Sequence, residues 1–317
     1  MDKDTLFYSY SQYLKNIYGK KAYRVSVDAG FSCPNRGRDR NNPGCIYCDE
    51  RGGRAVYLET EEEKSLENQV SMGIAFLKKR YNAEIFLLYF QAFSNTNAPV
   101  ETLKNIYDRC LAAGDFKELI VSTRPDCIDR DKVSLLKDYK NSGIDVWVEL
   151  GLQSARDSSL LRIQRGHTLE QFREAFNLCR EQDLKTAVHV IFGLPGETKE
   201  DILFTVNYLS QIHPQGIKIH NLHIPRGTRL YQEYLQGEVT APGDRRHLEY
   251  VISALEILPE DIIVMRLTCD TPKSRRAAPK NFWKKPQFYE KIRREMKNRA
   301  TWQGRLYKPG GIISHDR

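Results

Sequence analysis

Three cysteines stand close together early in the chain: Cys33, Cys45 and Cys48, spaced C-x11-C-x2-C. Thiolates bind soft or borderline metals, and a C-x2-C pair lets two sulfurs reach one centre. Three thiolates in one loop suit a [4Fe–4S] cluster with one iron left without a protein ligand. A structural zinc site and three unrelated buried cysteines are the alternatives. Zinc would need a fourth ligand from far along the chain, because no histidine precedes His167. Four cysteines remain. Cys110 and Cys179 fall in helical patterns and read as core residues. Cys127 and Cys269 follow strand-like runs, where either could face a site as a hydrogen donor or radical relay. No C-x2-C pair joins these four, so a second cluster is not expected.

The elements that must position these residues alternate. Strand-like runs cover Tyr23–Val27, Ile85–Phe90, Glu118–Ser122, Asp145–Leu150, Thr186–Phe192 and Gly216–His220. Helical spacing fills Glu62–Arg80, Val100–Ala112, Asp129–Tyr139, Thr168–Cys179 and Thr198–Ile212. The last two open on capping boxes, Thr168-x-x-Gln171 and Thr198-x-x-Asp201. Strand, helix, strand at this spacing predicts right-handed βαβ units and a parallel sheet. Six units are too few for an eight-fold barrel. A partial (β/α)6 barrel over 1–237 is expected, and an open doubly wound sheet would also fit. In both, ligands sit at the C-terminal ends of the strands, so the loops that follow them should carry the chemistry. The cysteine loop follows the first strand.

Past about Gly237 the alternation fades, and 238–317 reads as a basic, aromatic extension. Arg266–Lys308 holds 14 Lys or Arg against three acids, a balance of +11 in a chain whose total is +8. The remainder is therefore slightly acidic. Such local basicity predicts an anionic partner. Arg275, Arg276, Lys280, Trp283, Lys284, Lys285, Arg293 and Arg294 mix cations with an aromatic face. These residue types suit phosphates and unpaired bases, so RNA binding is expected. A solvated helix docked through its aromatics, or a dock for an acidic flavodoxin or ferredoxin, are the competing uses. Of the 317 residues 40% are hydrophobic, enough for a sizeable core. No run of 18 apolar residues exists, so no membrane helix is expected. The first ten residues carry acids where a signal peptide would be basic and then apolar. With seven irregularly spaced cysteines, a reducing cytoplasm is the expected location. Oligomeric state is not legible.

The cysteine triplet on a βα barrel resembles the radical S-adenosylmethionine (SAM) enzymes. Their usual triplet is C-x3-C-x2-C with an aromatic residue before the last cysteine, and Tyr47 fills that place here. The longer first gap resembles the branch of the Elongator catalytic subunit. Three further stretches are similar to that branch: Ser122-Thr123-Arg124-Pro125-Asp126, Glu149-Leu150-Gly151-Leu152-Gln153-Ser154, and Gly193-Leu194-Pro195-Gly196-Glu197-Thr198. The resemblance runs from about Tyr23 to Leu230 and extends to oxygen-independent coproporphyrinogen oxidase. One departure stands out. The family's Gly-Gly-Glu or Gly-Gly-Thr after the second strand is replaced by Gln91-Ala92-Phe93-Ser94.

The resemblance implies a [4Fe–4S] cluster on Cys33, Cys45 and Cys48, with SAM on the fourth iron. After one electron enters from a small reductant, cleavage of SAM would give a radical that abstracts a substrate hydrogen. It also implies a SAM cradle. Arg165 would hold the SAM carboxylate, since a guanidinium fork matches it. Gln153 and His189 would bond the ribose. Gln91 or Ser94 would accept from the SAM amine, and Gly193 with Gly196 would let the backbone approach the adenine. Glu149 would bond SAM or substrate, or else pair with Arg124. The implied substrate is a tRNA wobble uridine, whose carboxymethylaminomethyl group would be cut back to aminomethyl. A small metabolite or porphyrin-like substrate, and a zinc-stabilised RNA-binding module without catalysis, are the alternatives.

Overall fold

The strands carry β-branched and apolar residues on one parity and mixed polar residues on the other. This parity decides which face meets the helices. The computed structural model describes residues 6–37, 42, 44–49 and 65–310. Seven strands form one parallel sheet: β1 (Ala22–Val27), β2 (Ile85–Phe90), β3 (Phe116–Thr123), β4 (Asp145–Gln153), β5 (Lys185–Phe192), β6 (Gly216–Asn221) and β8 (Ile263–Arg266), in that spatial order. Two short strands, β7 (Ile224–Pro225) and β9 (Arg276–Ala278), pair antiparallel above it.

The outward parity is apolar throughout. Val25, Leu88, Val121, Val148, Val188 and Ile219 pack under the helices α2 (Leu66–Tyr81), α3 (Val100–Ala112), α4 (Arg130–Asn141), α6 (Leu169–Glu181) and α7 (Lys199–Ile212). The sheet curls strongly. Arg24 on β1 reaches Glu149 on β4 at 2.7 Å, and Lys218 on β6 reaches Tyr89 on β2 at 2.8 Å. Strands that are not neighbours in the sheet thus touch across an interior, which defines a partial barrel. Its lower end is closed by α1 (Tyr10–Tyr18), whose Tyr13 and Leu14 pack with Leu87, Ile120, Trp147 and Ile263. Ser9 bridges to Val264 on the far edge strand, so the N-terminal segment also lies along the open side.

All six expected strands and five expected helices are present, within a few residues at their ends. Both capping boxes form. The loop beyond Asp49 and the expected helix start at Glu62 lie outside the described residues. The segment after Gly237 does more than extend the barrel. Helix α9 (Asp244–Ile257) crosses over and delivers β8, which pairs parallel to β6 as a seventh barrel strand. Helix α10 (Lys285–Asn298) then packs through Phe288, Ile292 and Met296, all buried.

Candidate active site

The cysteine loop is fixed from several sides. Asn35 donates to the carbonyls of Gln164 (2.9 Å) and Arg165 (2.7 Å) and lies 3.5 Å from Cys45 Sγ. Gly166 has φ +75°, and a Cβ there would meet Asn35 Oδ1 at 2.2 Å, so the turn and the loop fit only with glycine. The Ile46 amide donates to Ile163, the Leu230 amide donates to Ile46, and Arg229 donates to the Gly44 carbonyl at 2.6 Å. Arg36 donates to the carbonyls of Cys48 and Asp49, and Asp49 pairs with Arg275 at 2.8 Å.

Arg165 stands behind the central thiol. It is buried, lies 3.7 Å from Cys45 Sγ, and donates to Gly151 O (2.9 Å) and His167 Nε2 (3.0 Å). Burial would raise the Cys45 pKa, but Arg165, Arg124 and Asn35 outweigh it and hold the thiol below its ordinary range. Burial and the neighbouring Cys45 push Cys48 up to about 11, with Arg36 opposing. His167, kept down at about 3 by burial and Arg165, is neutral and accepts from that guanidinium. Among the described residues no three His, Cys, Asp or Glu converge on one ion-sized point. Three thiolates in one loop are the ligand set of a [4Fe–4S] cluster with one iron left without a protein ligand.

Beside the loop lies a cradle of polar atoms without protein partners. Gln153 ends β4 at φ +76°, where the register against β5 shifts by one residue. Non-glycine residues hold that conformation at a cost of roughly 1–3 kcal/mol, and such strain clusters at functional sites. Its Oε1 is buried and unbonded, as are His189 Nε2, Asn95 Oδ1 and Arg124 Nη1. Buried polar atoms left unpaired cost about 1–3 kcal/mol each, and a bound nucleoside with hydroxyls and amines would satisfy such a set. A Cβ on Gly151 would strike Arg165 Nη2 at 2.6 Å and Gln153 Nε2 at 2.8 Å, so this glycine brings both side chains together. Tyr47 is half-buried against Ile46, Leu160 and Ile191. Of the two candidates for the SAM amine, Ser94 is fully buried and bonded to Thr123 (2.8 Å) and the Arg124 amide (3.2 Å). Gln91 is half-buried and has no hydrogen-bond partner among the described residues.

One expected pairing is overturned. Glu149 does not pair with Arg124, which forms a two-bond ion pair with Asp126 at 2.8 Å. Glu149 instead accepts from Arg24 (2.7 Å), Lys218 (2.6 Å) and Tyr89 (2.8 Å). At Gly193, φ is +86° and a Cβ would meet Pro242 Cγ at 2.2 Å, so packing against the α9 approach already requires glycine. Cys127 is buried in the turn after β3 and burial pushes its thiol up to about 11. Cys269 is partly accessible at the barrel mouth, 3.5 Å from Asn221 O and 3.7 Å from His223 Nδ1.

The basic segment is also divided by the structure. Arg276 is buried in β9, Arg275 is tied to Asp49, and Trp283 packs on Phe288 with Lys291 over its ring at 4.5 Å. Lys280, Lys284, Lys285, Arg293 and Arg294 are exposed. Sequence reasoning missed Asn35, His167, Arg24, Lys218, His220 and Arg266. For Arg24, Lys218, His220 and Arg266 the signal was the inward parity of strands such as Gly216-Ile217-Lys218-Ile219-His220, where polar residues alternate with apolar ones, whereas Asn35 and His167 lie outside the strands and carried no such signal.

Comparison with known proteins supplies the chemistry. Residues 33–209 match the Radical SAM superfamily and 214–298 match the Radical_SAM C-terminal domain. An uncharacterized protein of Methanocaldococcus jannaschii is 32% identical over 308 residues, covering 94% of this chain and 92% of the relative. The tRNA uridine(34) acetyltransferase of Methanocaldococcus infernus is 28% identical over 180 residues, covering 54% of this chain but 30% of that protein. The solved archaeal Elp3 of Methanocaldococcus infernus superposes with a TM-score of 0.68 at 19% identity, over 89% of this chain. This chain spans 64% of that structure, less than two thirds of its length. When bound together at such a site, a [4Fe–4S] cluster and SAM supply a hydrogen-abstracting radical. The loop thiols, the guanidinium behind Cys45 and the unpaired polar atoms fit both groups. The chain belongs to the radical SAM superfamily, and its cofactors are a [4Fe–4S] cluster and S-adenosylmethionine.

Proposed function

We propose that this radical SAM enzyme acts on a tRNA wobble uridine and cuts its carboxymethylaminomethyl side chain back to aminomethyl. The observation that carries the reading is the 28% identity, over 54% of this chain, to a protein named for uridine 34 of tRNA. The fold shared with Elp3 over 89% of the chain accords with it. The charge distribution supports it too: exposed Lys280, Lys284 and Lys285 lie on the segment that runs from β8 into α10.

In this reading Cys33, Cys45 and Cys48 hold the cluster. Arg165 and Gln91 orient the SAM carboxylate and amine, and Gln153 with His189 face the ribose. Cys269, at the mouth, is the accessible thiol closest to a substrate route. A flipped base reaches the barrel while its phosphates stay on the outer cations. An acidic flavodoxin or ferredoxin supplies the electron, and the tRNA substrate places the enzyme in the cytoplasm. Among the described residues no helix is long and apolar enough to cross a membrane.

The test is mass spectrometry of tRNA nucleosides from a deletion strain. Carboxymethylaminomethyluridine should accumulate and aminomethyluridine and its products should vanish. An unchanged nucleoside profile would remove tRNA from the reading and leave a small-metabolite substrate.

A further inference from the structure

The segment Phe93-Ser94-Asn95-Thr96-Asn97, after β2, joins two parts of the barrel rim. On one side Asn97 Nδ2 donates to Ser32 Oγ at 3.0 Å, so the segment lies against the chain next to Cys33. On the other side it is laced to the end of β3. Ser94 Oγ accepts from the Arg124 amide at 3.2 Å, and Thr96 Oγ1 lies 2.6 Å from Thr123 Oγ1. Arg165 ties the same strand end to the central thiol. It is 3.7 Å from Cys45 Sγ, and its Nη2 lies 2.6 Å from where a Cβ on Gly151 would be, a point 3.6 Å from the Thr123 carbonyl. Phe93 bends the chain at φ +60°, a conformation that is costly for a residue with a Cβ.

Asn95, in the middle of the segment, is fully buried. Its backbone amide (3.1 Å) and its Nδ2 (2.8 Å) both donate to the Ser122 carbonyl, and its own carbonyl accepts from the Tyr107 hydroxyl at 2.5 Å. These bonds fix the side-chain amide. Turned over, it would set Oδ1 against the Ser122 oxygen, and neither atom can donate. Oδ1 therefore points away from Ser122, and it has no partner among the described residues. A buried acceptor without a donor is unfavourable, so packing alone would be better served by an apolar side chain. Arg124 is the converse case. Asp126 takes its Nε and Nη2, while its buried Nη1 has no acceptor. An orphan acceptor and an orphan donor on laced loops complement an amine and a carboxylate borne on one carbon.

SAM has one such carbon, at its methionyl end. The amine and carboxylate there are also its chelating pair, so that end belongs beside the cysteine loop. An amine that gives its lone pair to a metal keeps two N–H groups, and Gln91 answers one of them. We infer that Asn95 Oδ1 accepts the other N–H of the SAM amine, in the segment where the family's Gly-Gly-Glu or Gly-Gly-Thr is replaced. This rests on the SAM orientation proposed above, in which Gln91 faces the amine, and not on the wobble-uridine substrate.

The test is anaerobic calorimetry on reconstituted holoprotein, without RNA, using SAM and its deaminated analogue, in which hydrogen replaces the α-amine. The wild type should bind SAM more tightly than the analogue. Asn95→Ala should weaken SAM binding about tenfold, as for the loss of one hydrogen bond, and leave the analogue unchanged. Asn95→Asp keeps an acceptor oxygen at this position but loses the Nδ2 bond to Ser122, and it should retain the preference for SAM. In Asn95→Ala, an equal loss for both ligands, or no loss for SAM, overturns the assignment. So does a lost preference in Asn95→Asp, which would place the effect in the Ser122 bond, or a wild type that binds the two ligands alike. Should Asn95→Ala lose its cluster absorbance, Asn95→Ser, whose hydroxyl falls short of the Oδ1 position, is judged by the same two ligands and the same outcomes. No tRNA enters the measurement, so failure here leaves the wobble-uridine reading standing, and an unchanged nucleoside profile in the deletion strain leaves Asn95 in its role.

Discussion

Glu149 shows how one residue shapes both stability and site. It is buried and takes hydrogen bonds from three strands. Burial alone would raise its pKa, but Lys218 and Arg24 hold the carboxyl well below the usual carboxylate range. A depressed acid contributes stability that is fully present above its unfolded pKa and is lost as pH falls through the folded value. Glu149→Gln removes the charge and strands two cations, so it should cost about 3–5 kcal/mol in urea unfolding at neutral pH. Lys218 is the opposite case. Burial pushes it down to about 7 despite Glu149 beside it. Between that value and its ordinary one the unfolded chain holds the extra proton, so stability should rise with pH there. Lys218→Met should flatten that rise, and an unaltered pH profile would show that Lys218 stays fully charged. The thiols separate as sharply. Cys33→Ala, Cys45→Ala or Cys48→Ala should each abolish the brown absorbance of reconstituted protein and its content of about four irons. Cys110→Ala and Cys179→Ala, in the core under α3 and α6, should keep both. The triplet was plain in the sequence because three thiols fall in one loop, two of them as C-x2-C. Glu149's partners were not, because Arg24 and Lys218 are 125 and 69 residues away and only the curl of the sheet brings them in.

Helix α10 is the element that ties the basic segment to the barrel. Phe288, Ile292 and Met296 recur at helical spacing and are fully buried, while Arg293, Arg294 and Lys297 face outward. Phe288→Ala should cost about 3–5 kcal/mol, read as a lowered denaturant midpoint, because it empties a packed site. An effect below about 1 kcal/mol would mean the helix is docked loosely. The six long strands and the five amphipathic helices were readable, since β-branched runs, helical periodicity and Thr-x-x-Gln or Thr-x-x-Asp caps are local signals. Strand β8 was not. It has four residues, follows a helix whose cap is Gly243 without a side-chain bond, and its pairing depends on an edge already built by β6. Helix α1 was hidden for a related reason: Tyr10, Tyr13 and Tyr18 look like surface aromatics until the barrel supplies Trp147 and Glu118 as their partners.

At the scale of the whole molecule, charge sorts by face. The sequence marked one basic stretch, and folding spreads it over surfaces with different surroundings. Arg276 is buried and Arg275 clamps the cysteine loop through Asp49, so both act within the fold. Arg245, Arg246, Lys291 and Arg294 line an outer groove of about 560 Å³ between α9 and α10, with Trp283 in its wall. Lys280 and Lys284 sit exposed on the approach to α10. Phosphate contacts release counterions, so tRNA affinity should fall steeply with salt. Joint reversal of Lys280, Lys284, Arg293 and Arg294 to Glu should weaken tRNA binding at least tenfold, roughly 1.4 kcal/mol, and make the salt slope shallower. Formation of 5′-deoxyadenosine without RNA should hardly change, because the proposed SAM cradle lies against the cysteine loop and β4. Arg276→Gln should behave differently, lowering stability with little change in the salt slope, because that guanidinium is inside the fold. Unchanged tRNA affinity after the fourfold reversal would assign these cations to an acidic electron donor, and slower cluster reduction by flavodoxin in the same variant would then be the measurement that confirms it.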